Sequence, residues 1–264
     1  MNEAAEPETR SAPAKRRQSE LLVMLRREGR LDVGPTAARL GVTQETLRRD
    51  LRAMEGEGLV RRSYGVAYPV ESGRFETPFG AHTSLDVAEK TRIAEAAAGL
   101  IGTAQTIYVD EGHLPSLIVS YLSSIRPLTV ITPSIPAAVE ASDRSDLEIQ
   151  LIGGRMRGLT LSTVEHEYSS GIDRMHIDIA FMSAQGISVE NGLTTSDPAL
   201  ASVKSAAIRA ARRRIFVGTH TTFGVTAFFR FSTVAEFDTI VTGSQFPAHR
   251  VSRYTQLGPQ FVRA

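Results

Sequence analysis

The sequence predicts a two-module protein: a small winged helix-turn-helix over residues 15–70, then an α/β domain with a mostly parallel sheet over residues 89–264. Three observations predict it. Charge is uneven, because Lys15 to Arg62 holds 12 basic and 7 acidic residues, a net of +5 that leaves −4 for the rest of a chain totalling +1. Within that basic stretch, three helix-length segments precede a short hairpin-like one. Beyond it, near-continuous apolar strand segments alternate with helical ones, the pattern of a helix-covered parallel sheet.

Composition sets limits. With 264 residues, 42% of them hydrophobic, the chain can bury a real core. It has no cysteine, which excludes disulfides and thiolate metal sites. No apolar run approaches the roughly 20 residues of a membrane helix. The opening "MNEAAEPETRSAPA" is acidic and lacks the apolar core of a signal or transit peptide. Residues 1–14 therefore read as a disordered tail, and the protein as cytoplasmic with no membrane partner.

"RRQSELLVMLRREG" sets Leu21, Leu22, Met24 and Leu25 at helical spacing and stops at Gly29. "GPTAARLG" is a second short helix, with Pro35 in its first turn and Gly41 at its end. Thr43 is the expected N-cap of a third, "TQETLRRDLRAMEGEG", broken at Gly56 and Gly58. "LVRRSYGVAYPV" then forms two short strands joined around Tyr64 and Gly65. On the third helix Leu47, Leu51 and Met54 share one side, while Glu45, Arg48, Arg49 and Arg52 project from the other. A charged helix face is most often merely solvated. Here the preceding helix, the tight turn and the basic hairpin favour a face for the DNA major groove, where arginine reaches guanine edges and phosphates.

This stretch resembles the N-terminal DNA-binding domain of the DeoR family of bacterial transcription regulators, through its T-x-R-R-D-L run followed by G-x-x-x-R. The resemblance implies a double-stranded DNA operator contacted by Thr43, Thr46, Arg48 and Arg49, with Arg61 and Arg62 in the wing; Gln44 and Arg52, on the same helix, complete the expected DNA-binding set. Asp50 faces away from the arginines on the helical wheel and is expected to be a structural partner. Where the family often has two glycines in the wing, this chain has Gly65 and Val66.

A linker over residues 71–88, rich in Pro, Gly and Ser, leads to the second module. There "EKTRIAEAAAGLIG" reads as helix, "TIYVD" as strand, "LPSLIVSYLSS" as helix, "LTVIT" as strand, "IPAAVEAS" as helix and "EIQLIGG" as strand. "IDIAFMSA", a helix over "PALASVKSAAIRAARR", "RIFVG" and "TIVTG" follow. Ligands of open α/β sheets bind beyond the carboxyl ends of the strands. Those ends read "VDEGH", "ITPS", "IGGRMRG", "SAQGI" and "VGTHTTFG", with Gly and Ser/Thr that expose amides able to hold an anion.

The segments "EKTRIAEAAAGLI", "IYVDEG", "LIGGRMR", "AFMSAQGI" and "GLTTSDPALASVK" resemble the family's effector domain, related in fold to ribose-5-phosphate isomerase and the CoA transferases. The resemblance implies a sugar-like, often phosphorylated effector, and a homodimer or tetramer. It carries Asp110, Gly112, Thr132, Ser134, Gly153, Gly154, Arg157, Gly186 and Lys204 into the effector site. The departures bear on the ligand. His113 and Leu114 replace two hydroxyl residues, Thr222 stands where the family has lysine, Thr219 where it has aspartate, and Leu200 where it has glutamate. Lys204, Arg157 and a protonated His113 offer partial compensation, so the expected ligand carries less negative charge than a sugar phosphate. His113 and His220 lack a second metal ligand at helix spacing; both are expected to line or border the pocket, and neither metal nor cofactor is expected. The expected function is a DNA-binding repressor switched by a metabolite. The rivals are a regulator switched by a protein partner and an isomerase- or transferase-like enzyme.

Overall fold

In this computed structural model, residues 11–28, 30–56, 59–63, 65–69, 79–83, 85–123, 127–164 and 171–264 are described. Expectations for residues 1–10, Gly29, Gly58, Tyr64 and most of the linker fall outside these, as does the side chain of Arg61. The chain divides into two compact units, Met1–Ser72 and Gly73–Ala264.

The first unit opens with α1 (Ser11–Glu28), which starts within the segment expected as tail. There follow β1 (Leu31–Asp32), α2 (Val33–Arg39), α3 (Gln44–Gly56), β2 (Val60–Ser63) and β3 (Val66–Pro69). Gly41, at φ +63°, leads the chain out of α2 through the left-handed region that glycine enters without steric cost. Thr43 Oγ1 accepts the Thr46 amide at 3.1 Å and caps α3. Leu21 and Leu25 of α1 meet Leu47, Leu51 and Met54 of α3 in one apolar core. The hairpin turns at Gly65, φ +80°. β1 adds a third antiparallel strand beside β3, an addition that two residues are too short to announce by periodicity.

The second unit begins with α4 (Phe79–His82) and α5 (Val87–Ala98), both reaching into the segment expected as linker. Then come β4 (Thr106–Val109), α6 (His113–Tyr121), β5 (Leu128–Thr132), α7 (Ile135–Ser142) and β6 (Leu147–Leu151). A hairpin of β7 (Arg155–Arg157) and β8 (Ser162–Val164) precedes β9 (Ile177–Met182). Next are β10 (Gly186–Ser188), β11 (Gly192–Thr195), α8 (Pro198–Ala210), β12 (Ala211–Val217) and β13 (Phe229–Ser232), and finally β14 (Thr239–Thr242), α9 (Val251–Thr255) and β15 (Gln260–Arg263).

Seven strands form one sheet in the order β15-β14-β12-β9-β4-β5-β6, with every pairing parallel. Successive strand residues point to opposite faces. Tyr108, Ala180, Met182 and Phe216 accordingly join one core with Val203, Ala206 and Ala207 of α8. Ile107, Val109, Ile179, Phe181 and Ile215 join another with Ile93, Ile118 and Ala137 of α5, α6 and α7. Parallel strands put all their carboxyl ends on one edge, which therefore gathers the loops after β4, β5, β6, β9 and β12.

Candidate functional site

On α3 the residues Gln44, Glu45, Arg48, Arg49 and Arg52 are exposed, and Leu47, Asp50, Leu51 and Met54 are buried. Glu45 lies 3.7 Å from an Arg48 nitrogen and 3.5 Å from one of Arg52. Gln44 accepts from Arg48 at 3.3 Å. Thr46 is half-buried, its hydroxyl 2.9 Å from that of Thr43. Arg49 has no ion-pair partner among the described residues. Asp50 is paired with α1: Arg17 Nε donates to Oδ2 at 2.5 Å and Nη2 to Oδ1 at 3.1 Å. Those hydrogen bonds hold the Arg17 guanidinium above its ordinary pKa. Arg62 is less available than the sequence suggests, because its Nε donates to Glu55 at 2.8 Å and its amide to the same carboxylate at 3.0 Å.

In the second unit the carboxyl end of β4 brings Asp110, fully buried, against Lys204 of α8, itself 1% exposed. Lys204 Nζ also lies 3.0 Å from Glu111 and donates to the Ser183 carbonyl at 3.3 Å. The Ser183 amide and hydroxyl approach Asp110 Oδ2 at 2.9 and 3.1 Å. Two carboxylates thus surround one ammonium. Burial pushes the Asp110 carboxyl up, with Glu111 adding to the rise against Lys204. Burial lowers the Lys204 pKa, but Asp110 and Glu111 outweigh it and hold it above its ordinary value. Asp110 Oδ1 and the Tyr108 hydroxyl are buried without hydrogen-bond partners among the described residues. Burial, then the charges of Asp110 and Glu111, raise the Tyr108 phenol well above its usual range.

Gly112, φ +106°, turns the chain from β4 into α6 and accepts the Ser116 amide at 3.2 Å. No side chain caps the start of α6, whose first amides have no partner within the helix. His113 is half-buried, edge-on to Phe79 at 5.7 Å. Burial and the Lys90 charge lower its pKa to about 4. The expected protonated His113 is therefore a neutral imidazole near pH 7, and it supplies no positive charge to a ligand.

The other expected residues divide by what they touch. The Thr132 hydroxyl donates to the Val109 carbonyl at 2.7 Å and accepts the Ser134 amide at 3.0 Å. Ser134 caps α7 through the Ala137 amide at 3.3 Å. Both hydroxyls are fully buried and brace the turn. Arg157 reaches Asp197 at 3.0 Å, and Asp197 caps α8, the helix that carries Lys204. Gly153 and Gly154 are exposed. A Cβ on Gly186 would lie 2.2 Å from the Val225 carbonyl oxygen, so this glycine permits the backbone of the loop before β13 to approach β10 closely. The Thr222 hydroxyl lies 3.5 Å from that of Thr219.

Three participants escaped the sequence reading: Glu89, Lys90 and Ser183. Buried Glu89 accepts the His220 amide and ring Nδ1, each at 2.8 Å. Burial raises the Glu89 pKa, but the His220 hydrogen bonds outweigh it and hold it below its ordinary value. Lys90 Nζ donates to the carbonyls of His82 and Leu85 at 2.7 Å. A signal was present, since Glu89 and Lys90 sit one helical turn before the buried Ile93 and Ala94 and so belong to the apolar face of α5. Among the described residues no group of three His, Asp or Glu is placed to hold a metal, and no helix is long and apolar enough to cross a membrane.

Comparison with known proteins gives two family matches: a DeoR-like helix-turn-helix domain over residues 17–72 and a DeoR C terminal sensor domain over 85–244. The HTH-type transcriptional regulator GlpR of Haloferax volcanii is 28% identical over 89% of this chain and 92% of its own length. The transcriptional repressor AccR of Agrobacterium fabrum is 29% identical over 86% of this chain and 89% of its own. Among solved structures, a D-ribose-5-phosphate isomerase in complex with phospho-erythronic acid aligns with a TM-score of 0.36 at 14% identity, over 51% of this chain and 52% of that one.

Proposed function

Because the chain belongs to the DeoR family of transcription regulators, we propose that it is a repressor that binds a double-stranded operator through α3 and the β2–β3 wing, under control of a small sugar-like effector. The observation that carries the DNA half is the division of α3 into a buried apolar side and an exposed side bearing three arginines. The name of AccR supports repression as the sign. The relatives are regulators, so the enzyme reading is set aside.

The effector half rests on the charge cluster at the end of β4. An ammonium has three N–H donors, and Lys204 directs its own toward Asp110, Glu111 and the Ser183 carbonyl. With His113 neutral, the cluster has little positive charge to spare for a phosphate dianion. An uncharged sugar or polyol fits better, because its hydroxyls need no cation and can donate to the half-buried Glu111 carboxylate at the same edge. Control follows from linkage: a ligand that prefers one arrangement of an at least dimeric protein changes operator affinity by its differential binding.

Calorimetry on the full chain, with sugars and polyols paired against their phosphate esters, tests this. Binding of an uncharged member at least tenfold tighter than its ester is expected. Low-micromolar binding of an ester that survives Lys204→Ala would overturn the effector assignment.

A further inference from the structure

We propose that Glu45 determines specificity at the DNA interface: it weakens binding to arbitrary duplex and accepts a hydrogen bond from a cytosine amino group at the operator. The inference rests on the DNA-binding reading of α3 and says which of its residues separates right from wrong sequences.

A helix face that meets a polyanion gains its sequence-independent affinity from cations, so a carboxylate on that face needs a reason. Glu45 is in the first turn of α3, the end that reaches base edges when such a helix enters the major groove. Its side chain is 67% exposed and stands between Arg48 and Arg52, within 3.7 and 3.5 Å of them. Before DNA arrives, two of the three arginines on the face thus have a local ion-pair partner, and Arg49 has none among the described residues. On arbitrary duplex, Arg48 and Arg52 must leave Glu45 to reach phosphates, and the released carboxylate then faces like charge. On a sequence with cytosine at the matching position, Glu45 accepts from N4 while the arginines turn to guanine O6 and N7 nearby. One residue then lowers the wrong affinity and raises the right one, and specificity is that difference.

The competing role is purely local. A carboxylate in the first turn of a helix favours it through the helix dipole. A residue acting only in that way would change binding to every duplex by the same factor.

The experiment uses the full chain as wild type, Glu45→Gln and Glu45→Ala. Each selects duplexes from a randomised pool, and each is then titrated by fluorescence anisotropy against the wild-type winner and a scrambled duplex of equal composition, at one salt concentration. We expect tighter binding of both variants to the scrambled duplex, a loss of operator-to-scrambled ratio of about 5- to 100-fold, and selected motifs that lose one fixed C·G pair. Identical motifs with both affinities shifted equally would overturn the proposal. A wild-type chain that enriches no motif would sink sequence-specific binding itself, and that result needs no variant to recognise.

Discussion

Removing Arg17 isolates what holds the recognition helix in place. Asp50 is buried to 4% exposure and its bidentate partner Arg17 to 20%. Arg17→Met leaves the carboxylate without a counter-ion. Breaking a buried pair from one side costs about 3–5 kcal/mol, and solvent access at the Arg17 end lowers that to about 2–3 kcal/mol. At 1.4 kcal/mol per decade, this is a rise of roughly 30- to 140-fold in the opening constant of α3. Hydrogen exchange followed by mass spectrometry on the full chain resolves it, because peptides from α1 and α3 report the first unit separately from the second. The double variant Arg17→Met with Asp50→Leu should recover most of the loss, since an apolar pair needs no compensating charge. Exchange in α3 that Arg17→Met leaves within about twofold of wild type would refute the reasoning, and Asp50 would then be sufficiently hydrated without its partner.

Arg49→Ala should lower the slope of log K against log salt by about one unit, whereas Arg62→Ala should change it less, because Arg62 is already paired with Glu55; gel-shift titrations over a salt series compare them. Either Arg48→Ala or Arg49→Ala should weaken operator binding by about 1–3 kcal/mol if that side chain reads a base, and no effect from either would remove α3 as the reader. Gly186→Ala should destabilise the second unit by about 1–3 kcal/mol, since its methyl would collide with the Val225 backbone, an outcome read from the urea midpoint. His82 has its pKa lowered to about 4 by burial, then by Lys90, so the unfolded chain takes up its proton first. Its contribution to stability is complete above about pH 6.5 and is lost as pH falls toward 4, by up to about 3 kcal/mol. Denaturation at pH 7, 5.5 and 4.5 should show a flatter profile for His82→Gln, and an unchanged slope would exclude this residue.

Local chemistry determined what the sequence made legible. The apolar trio Leu47, Leu51 and Met54 announced the buried side of α3, Gly41 and Gly65 announced turns that need positive φ, and short, mostly apolar segments announced β4, β5 and β9. Of β12 only the end at residues 215–217 was announced: the helix expected to run on to Arg213 stops at Ala210, because Arg212, Arg213 and Arg214 join the strand. Asp110 and Lys204 were legible as members of a site but not as partners. They are 94 residues apart, and no local pattern says that the end of β4 faces α8 across the loop after β9. Nor could the sequence assign protonation. His113 looked able to carry charge because its type can, and only the burial around it, with Lys90 nearby, makes it neutral. Gly186 and Arg62 were likewise read by residue type, while their surroundings commit them to the Val225 backbone and to Glu55. Periodicity and turn chemistry act over a few residues and survive in the one-dimensional chain. Desolvation, charge pairing and close backbone approach depend on distances that exist only once the chain has folded.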